Sequence, residues 1–389
     1  MPWKESKTMS ERMKFVLRYA DGEKMTDLCR EFDISRKTGY KLWKRYQELG
    51  VEAFLDQSRR PKRFANATKP YVEKLILDLK YKRNTWGAPK ILEYLKRHNP
   101  EISFPARSTV HAILERNGLV KKRGRRRYKS SGTNLKPSKA ANDLWCVDYK
   151  GQFRLGNKRY CYPLTITDHY SRFILCCESL ESTKSEEAIP VFNRVFKEYG
   201  MPHAIRSDNG APFASPSYYG LSSLSVLWLK LGIKIERIKP GNPQENGRHE
   251  RMHRTLKAET TKPPSANHIQ QQEQFDSFMS VFNYERPHEA LEMKTPSQFY
   301  KKSSLQYQSQ ELDYSHCDRT YRVASNGQIE PKKGYRIHIG KSFSSQTVGI
   351  TEIDDGLWKI SFNKYDIAFY DFYDKKIEKI QILDKLANQ

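Results

Sequence analysis

Apolar residues at helical spacing mark out the first third of the chain. Met13, Val16, Leu17 and Ala20 predict an amphipathic helix capped by Ser10 and stopped at Gly22. Thr26 opens a short second helix with Leu28 and Phe32 inward. A turn at Asp33-Ile34 leads to Ser35, the N-cap of a third helix, RKTGYKLWKRYQEL, which ends at Gly50. Gly39 counts against that helix, because glycine is a poor helix former. A second helical stretch follows over 66–120. Tyr71, Leu75, Ile76 and Leu79 mark one helix, Ile91, Leu92 and Leu95 mark another after WGAPK, and Ser108 caps a third.

From about 141 the period changes. DLWCVDYKGQF, KRYCYPLTITD and SRFILCCESL read as three strands joined by short turns. A helix follows, with Thr183 and Glu186 as a capping box and Pro190 as a potential kink. HAIRSD reads as a strand, LSSLSVLWLKL as a helix and IKIERI as a strand, with further helices from about 246 and 275. This order predicts a mixed sheet sandwiched by helices. Beyond 320, strand patterns separated by Asn326-Gly327 and Asp355-Gly356 predict a small antiparallel barrel. The fold class is therefore multidomain: all-α N-terminal units over 1–60 and 66–120, a basic linker over 121–140, an α/β core over 141–300, and a small all-β barrel over 320–389.

Charge adds a partner. The 389 residues carry 69 Lys and Arg against 45 Asp and Glu, a net charge of +24. Such an excess points to a polyanion, with nucleic acid ahead of a membrane surface, because no apolar run of transmembrane length and no lipidation motif occurs. The N-terminal MPWKESKTMSERMKF lacks the apolar stretch of a signal peptide. A cytoplasmic protein, associated with a bacterial-type nucleoid when bound to DNA, is expected. Six cysteines without a CxxC pair or zinc spacing are expected to be reduced thiols. The helix, tight turn and basic helix of the N-terminus form a helix-turn-helix layout, in which Arg36, Lys37 and Tyr40 would lie nearest the bases. The alternative is a three-helix bundle with a solvated basic face. KKRGRRRYK places seven basic residues in nine positions. Lys121, Lys122, Arg123, Arg125, Arg126 and Arg127 are expected to follow a phosphate backbone, or else to form a solvated linker.

Three acids lie in unusual surroundings. Asp148 ends an apolar strand, WCVDYKG, where an unpaired charge is costly. Asp208 ends IRSD and precedes the turn NGAPF. Glu250 lies in NPQENGRHERMHRTLK, followed by Arg254 and Lys257 at i+4 and i+7 on one helical face.

These motifs resemble the acidic triad of the retroviral-integrase and insertion-sequence transposase superfamily, with its ribonuclease-H-like core. WCVDYKG is similar to the first-aspartate strand, RSDNGAPF to the second-aspartate turn, and KPGNPQENGRHERMHRTLK to the glutamate helix. NYERPHEALEMKTPSQFY is similar to the segment that closes the core in bacterial members, and the N-terminal layout resembles their paired helix-turn-helix modules. The retroviral N-terminal zinc motif is absent. The resemblance implies that Asp148, Asp208 and Glu250 are catalytic and hold Mg²⁺ or Mn²⁺, as two ions roughly 3.5–4 Å apart. It implies a transposase that cleaves 3′-ends and transfers strands, with terminal inverted repeats and target DNA as partners and a homo-oligomer on DNA. Arg254 and Lys257 would bind phosphate, and Arg248, His249 and Arg251 are also expected as phosphate contacts. Glu245 is the rival third carboxylate, about 140° from Glu250 around a helix. Asp168 is expected to be structural or positioning. The alternative function is a non-catalytic helix-turn-helix regulator derived from a transposase, with a plain metal-dependent nuclease as a lesser option.

Overall fold

The computed structural model describes residues 8–56, 67–120, 138–215, 220–239, 242–308 and 312–379. The chain forms two units, Met1–Thr68 and Lys69–Gln389.

The first unit holds α1 (Thr8–Ala20), α2 (Met25–Glu31) and α3 (Arg36–Leu49), followed by a 3-10 turn, Gly50–Phe54. Ser35 caps α3 as its position suggested, its Oγ accepting from the Thr38 amide at 3.2 Å. Ser10 does not cap α1, which already runs from Thr8. The buried stripe of α1 also differs from expectation. Phe15 and Val16 are buried, whereas Met13 and Leu17 are exposed, because the face toward α2 and α3 is set by the aromatic cluster around Phe15 and Tyr19. Gly39 is explained by packing. A Cβ there would stand 2.7 Å from Met25 Sδ and 2.9 Å from Phe15 Cζ, so its absence lets α3 approach α1 and α2 closely.

The second unit begins with α4 (Pro70–Lys82), α5 (Ala88–His98) and α6 (Arg107–Arg116). Val72, Ile76, Leu79, Trp86, Ile91 and Ile113 build their core. Tyr71 is exposed instead, with Val72 taking the inward position, and Ala106 rather than Ser108 precedes α6 without a side-chain cap.

The central sheet comprises β1 (Leu144–Tyr149), β2 (Phe153–Arg154), β3 (Tyr160–Asp168), β4 (Ile174–Leu180), β5 (Ala204–Ser207) and β6 (Lys234–Arg237). β1 pairs antiparallel with β3 and parallel with β5, and β5 pairs parallel with β6. β2 and β4 both pair with β3. The first four residues of β1 are all buried, as a strand covered on both faces requires. Helices α7 (Ser185–Tyr199) and α8 (Ser223–Lys230) bury Phe192, Phe196 and Trp228 in the cluster that includes Trp145. Helices α9 (Gly247–Thr260) and α10 (His268–Ser280) bury Met252, Leu256, Phe275 and Phe278 with Cys161 and Ile174. The expected capping box at Thr183 and Glu186 does not form. Lys184 precedes α7, and the Glu187 carboxylate instead accepts from the Glu181 and Ser182 amides and the Ser182 hydroxyl.

The C-terminal strands are β7 (Arg319–Arg322), β8 (Gln328–Lys332), β9 (Tyr335–His338), β10 (Thr347–Asp354), β11 (Leu357–Phe362), β12 (Tyr365–Asp371) and β13 (Lys376–Lys379). Five of them form an antiparallel sheet in the order β13-β12-β11-β10-β7, with β8 and β9 as a separate hairpin. All six cysteines are free, and no helix among the described residues is long and apolar enough to cross a membrane.

Candidate active site

Asp148 sits near the end of β1, where the sheet's apolar interior gives way to a partly open edge. Its register partner is Thr165 on β3. Burial, and after it the Asp208 and Glu250 charges, push the Asp148 carboxyl up to about 7. Asp148 on the central strand is therefore within electrostatic reach of Asp208, from the turn after β5, and of Glu250, from the first turn of α9. The Asp208 Oδ1 atom is buried without a hydrogen-bond partner. Oδ2 lies against Gly210, where a Cβ would come within 2.9 Å, so the glycine of SDNG leaves room for the folded-back carboxylate.

Two arginines hold this edge, Arg206 buried and Arg237 half-buried. Arg206 on β5 donates to the Glu236 carboxylate at 3.0 Å and to the Glu245 carbonyl at 3.3 Å, tying the turn before α9 to the sheet. Arg237 on β6 donates to Ser207 Oγ and the Asp208 carbonyl at 2.9 and 3.0 Å. Burial lowers the Arg237 guanidinium to about 10, against the opposing pull of Asp208. Sequence reasoning passed over both; Arg206 carried a signal, as an arginine directly after the apolar Ala204 and Ile205, whereas Arg237 in the alternating KIER carried none.

A histidine pair lies under Asp148. The Thr165 hydroxyl donates to the Asp148 carbonyl at 2.9 Å, and its oxygen contacts Nε2 of His249 and His253 at 2.7 and 2.6 Å. With the threonine hydrogen committed to the carbonyl, both imidazoles must donate from Nε2. His253 Nδ1 then faces Asp148 Oδ2 at 3.7 Å. Burial holds both imidazoles below their ordinary range, His249 at about 3, so this contact joins a neutral ring to a carboxyl group rather than two ions. His249 is thus a buried packing and hydrogen-bonding group, not the expected phosphate contact. It lies on the inward face of α9 and is 1% exposed. His253 was missed, since nothing in HERMHR distinguishes an inward histidine from a solvent-facing one.

Glu250 is exposed on the flank of α9 that also carries the exposed Arg254 and Lys257. Glu245 is occupied elsewhere, its Oε2 accepting from the Lys239 amide at 2.8 Å. Asp168 is fully engaged, accepting from the Asn142 and Ser171 amides and from Ser171 Oγ. Among the described residues no three His, Cys, Asp or Glu side chains already form a metal-holding group. The orphaned Asp208 oxygen, the proton-retaining Asp148 and an all-carboxylate donor set nevertheless fit a hard divalent cation.

In the first unit Arg36, Lys37 and Tyr40 are exposed along the start of α3. Lys121, Lys122, Arg123, Arg125, Arg126 and Arg127 lie outside the described residues.

Two integrase core domain models match residues 138–243 and 231–296, together covering Asp148, Asp208 and Glu250. Residues 138–296 thus match the integrase core domain families. A helix-turn-helix domain model matches residues 11–62 and a homeodomain-like model residues 38–114. The Gag-Pol polyprotein of baboon endogenous virus is 32% identical over 103 residues, 26% of this chain and 6% of that protein. That of feline leukemia virus is 30% identical over 118 residues, 30% of this chain and 6% of the polyprotein. The match thus spans well under a tenth of either relative's length. Among solved structures, a chain of the simian T-cell lymphotropic virus intasome in complex with PP2A regulatory subunit B56 gamma aligns with a TM-score of 0.38 at 16% identity. That alignment covers 74% of this chain and 96% of that one. The HTLV-2 integrase catalytic core domain in complex with magnesium aligns with a TM-score of 0.31 at 16% identity, covering 42% of this chain and 99% of the other.

Proposed function

We propose that this chain is a transposase of the integrase superfamily, which binds the ends of a DNA element, cleaves there to free 3′-ends and joins them to target DNA. The reading is carried by the placement of Asp148 near the end of the central strand, within electrostatic reach of Asp208 and Glu250, the acids singled out by their flanking motifs. Asp148, Asp208 and Glu250 would hold Mg²⁺ or Mn²⁺, and two such ions would supply charge stabilisation to an in-line phosphodiester displacement. The chain's own residues do the remainder. Thr165 holds the Asp148 backbone carbonyl, Arg237 fixes the backbone of Asp208, and Arg206 anchors the turn that presents Glu250. Arg254 and Lys257 bind the scissile strand's phosphates beside Glu250, and Arg36, Lys37 and Tyr40 read the element ends in the major groove. The basic run over 121–127 follows the phosphate backbone, and the working form is a homo-oligomer on DNA.

The test is joining of a terminal-repeat duplex to plasmid DNA in Mg²⁺ or Mn²⁺. Wild type joins, and Asp148→Asn, Asp208→Asn and Glu250→Gln bind the ends without joining. Glu245→Gln retains substantial activity, because its carboxylate serves the Lys239 amide instead. End binding by wild type with no nicking or joining in either metal would replace the enzyme with the regulator.

A further inference from the structure

Helix α9 has two flanks. At about 100° per residue, Glu250, Arg254 and Lys257 fall together on one. Arg248, Thr255 and Glu259 fall together on the other, with Arg251 between the two on the outer surface. The second flank is crowded with cations. Arg248 reaches the turn after β3, its Nη1 donating to the His169 carbonyl at 2.8 Å. Arg172, in that same turn, has left-handed backbone geometry at φ 65° and a buried Nε with no hydrogen-bond partner. Burial, and then the Arg248 and Arg251 charges, pull its guanidinium below the ordinary range. Toward the C-terminal end of α9, Arg286 pairs with Glu259 at 2.8 Å, and the Thr85 hydroxyl donates to the same Glu259 oxygen. Lys90 on α5 lies among Arg286, Glu289, Glu259 and Arg172, and burial is the largest cause of its fall to about 8.

Glu289 and Glu259 offset the charge at the Lys90 end, whereas the charges acting on Arg172 are the cations Arg248 and Arg251. Asp168 is saturated by the Asn142 and Ser171 donors, and the Glu259 oxygen facing the cluster is shared by Arg286 and Thr85. Like charges gathered around an unsatisfied guanidinium nitrogen cost stability unless an anion joins them. We propose that this flank of α9 is a second nucleic-acid contact, holding the phosphodiesters of one strand against Arg172, Arg248 and Arg251, with Lys90 at its far end. It rests on the reading above that the chain handles DNA. It adds a strand path on the side of α9 turned away from Glu250, leading toward α5.

Equilibrium binding of the full chain tests it, with a random-sequence duplex, a single strand of equal length, and inorganic phosphate as separate probes. Each cation withdrawn from a phosphate should reduce the slope of log affinity against log salt by about 0.9 for duplex or about 0.7 for single strand. Arg172→Met and Arg251→Met should each withdraw one cation, and the double variant two. Between about 50 and 200 mM salt, the duplex affinity loss should then shrink three- to fourfold per cation withdrawn. Without nucleic acid the thermal midpoint of Arg172→Met should equal or exceed that of wild type, since a repelling charge is gone. If Arg172→Met is poorly folded, the exposed Arg251→Met decides. Unchanged slopes on both nucleic acids overturn the proposal, as does inorganic phosphate binding that the variants lose while neither slope moves. A chain that shows these slope changes but never joins DNA refutes the proposed reaction and leaves this site standing. Joining activity with unchanged slopes refutes this site alone.

Discussion

Replacing Asp148 by Asn should stabilise the metal-free protein, and by an amount that depends on pH. The folded chain holds the Asp148 proton more tightly than the unfolded chain does, because the carboxyl moves from 3.8 to about 7 on folding. Burial is the main cause, with Asp208 and Glu250 adding to it. The sign follows from linkage: where the folded state binds more protons, stability falls as pH rises. The cost is absent below about pH 4, grows between about 4 and 7, and is complete above about 7. At about 1.36 kcal/mol per pH unit, the interval corresponds to about 4 kcal/mol as an upper bound. The side chain is 26% exposed, so most but not all of the group is shielded from water. An asparagine amide cannot ionise, so Asp148→Asn carries none of this cost. Urea unfolding with EDTA present, followed by tryptophan fluorescence, should place the variant near wild type at pH 4.5 and well above it at pH 8. Asp208→Asn should shift the wild-type pH dependence toward lower pH, because one repelling charge is removed. If the stability of Asp148→Asn relative to wild type is the same at both pH values, the coupling of Asp148 to Asp208 and Glu250 is refuted.

Two further outcomes concern the N-terminal unit. Gly39→Ala should destabilise it by about 1–2 kcal/mol, because overpacking against Met25 and Phe15 outweighs the gain in helix propensity; a raised melting midpoint would contradict the close approach. Arg36→Ala or Lys37→Ala should weaken binding to element ends by about 1–3 kcal/mol while sparing random duplex, as measured by gel shift. Equal loss on both DNAs would make them backbone contacts rather than base readers.

Much of the fold was legible where one physical requirement dominated. Ser35 could be assigned because a hydroxyl before a polar-apolar helix has few other uses, and β1 because a buried central strand must be apolar. Caps failed where a neighbour competed: Glu187 collects the donors before α7 that Thr183 and Glu186 were expected to satisfy. Inward faces failed where tertiary packing chose between adjacent apolar residues, as with Val72 over Tyr71 and Phe15 over Met13. The candidate acids stood out because a carboxylate at the end of an apolar strand demands an explanation. Their supports did not. His253 and Arg206 are charged or polar residues whose burial depends on which way a helix or strand is turned, and only the assembled sheet decides that. The cluster at Arg172 was equally hidden, since it joins a turn, α9 and α5 from distant parts of the chain.

The central claim is that Asp148, Asp208 and Glu250 form one cation site. Manganese binding to the full chain, followed through loss of the free Mn²⁺ electron-paramagnetic signal, tests it without requiring the element's end sequence. Wild type should remove Mn²⁺ from solution with release of protons near pH 7, as Asp148 gives up its own. Asp148→Asn and Asp208→Asn should each weaken binding at least tenfold, Glu250→Gln should weaken it less, and Glu245→Gln should leave it unchanged. Binding that is absent in wild type, or equal in all four variants, would contradict the account.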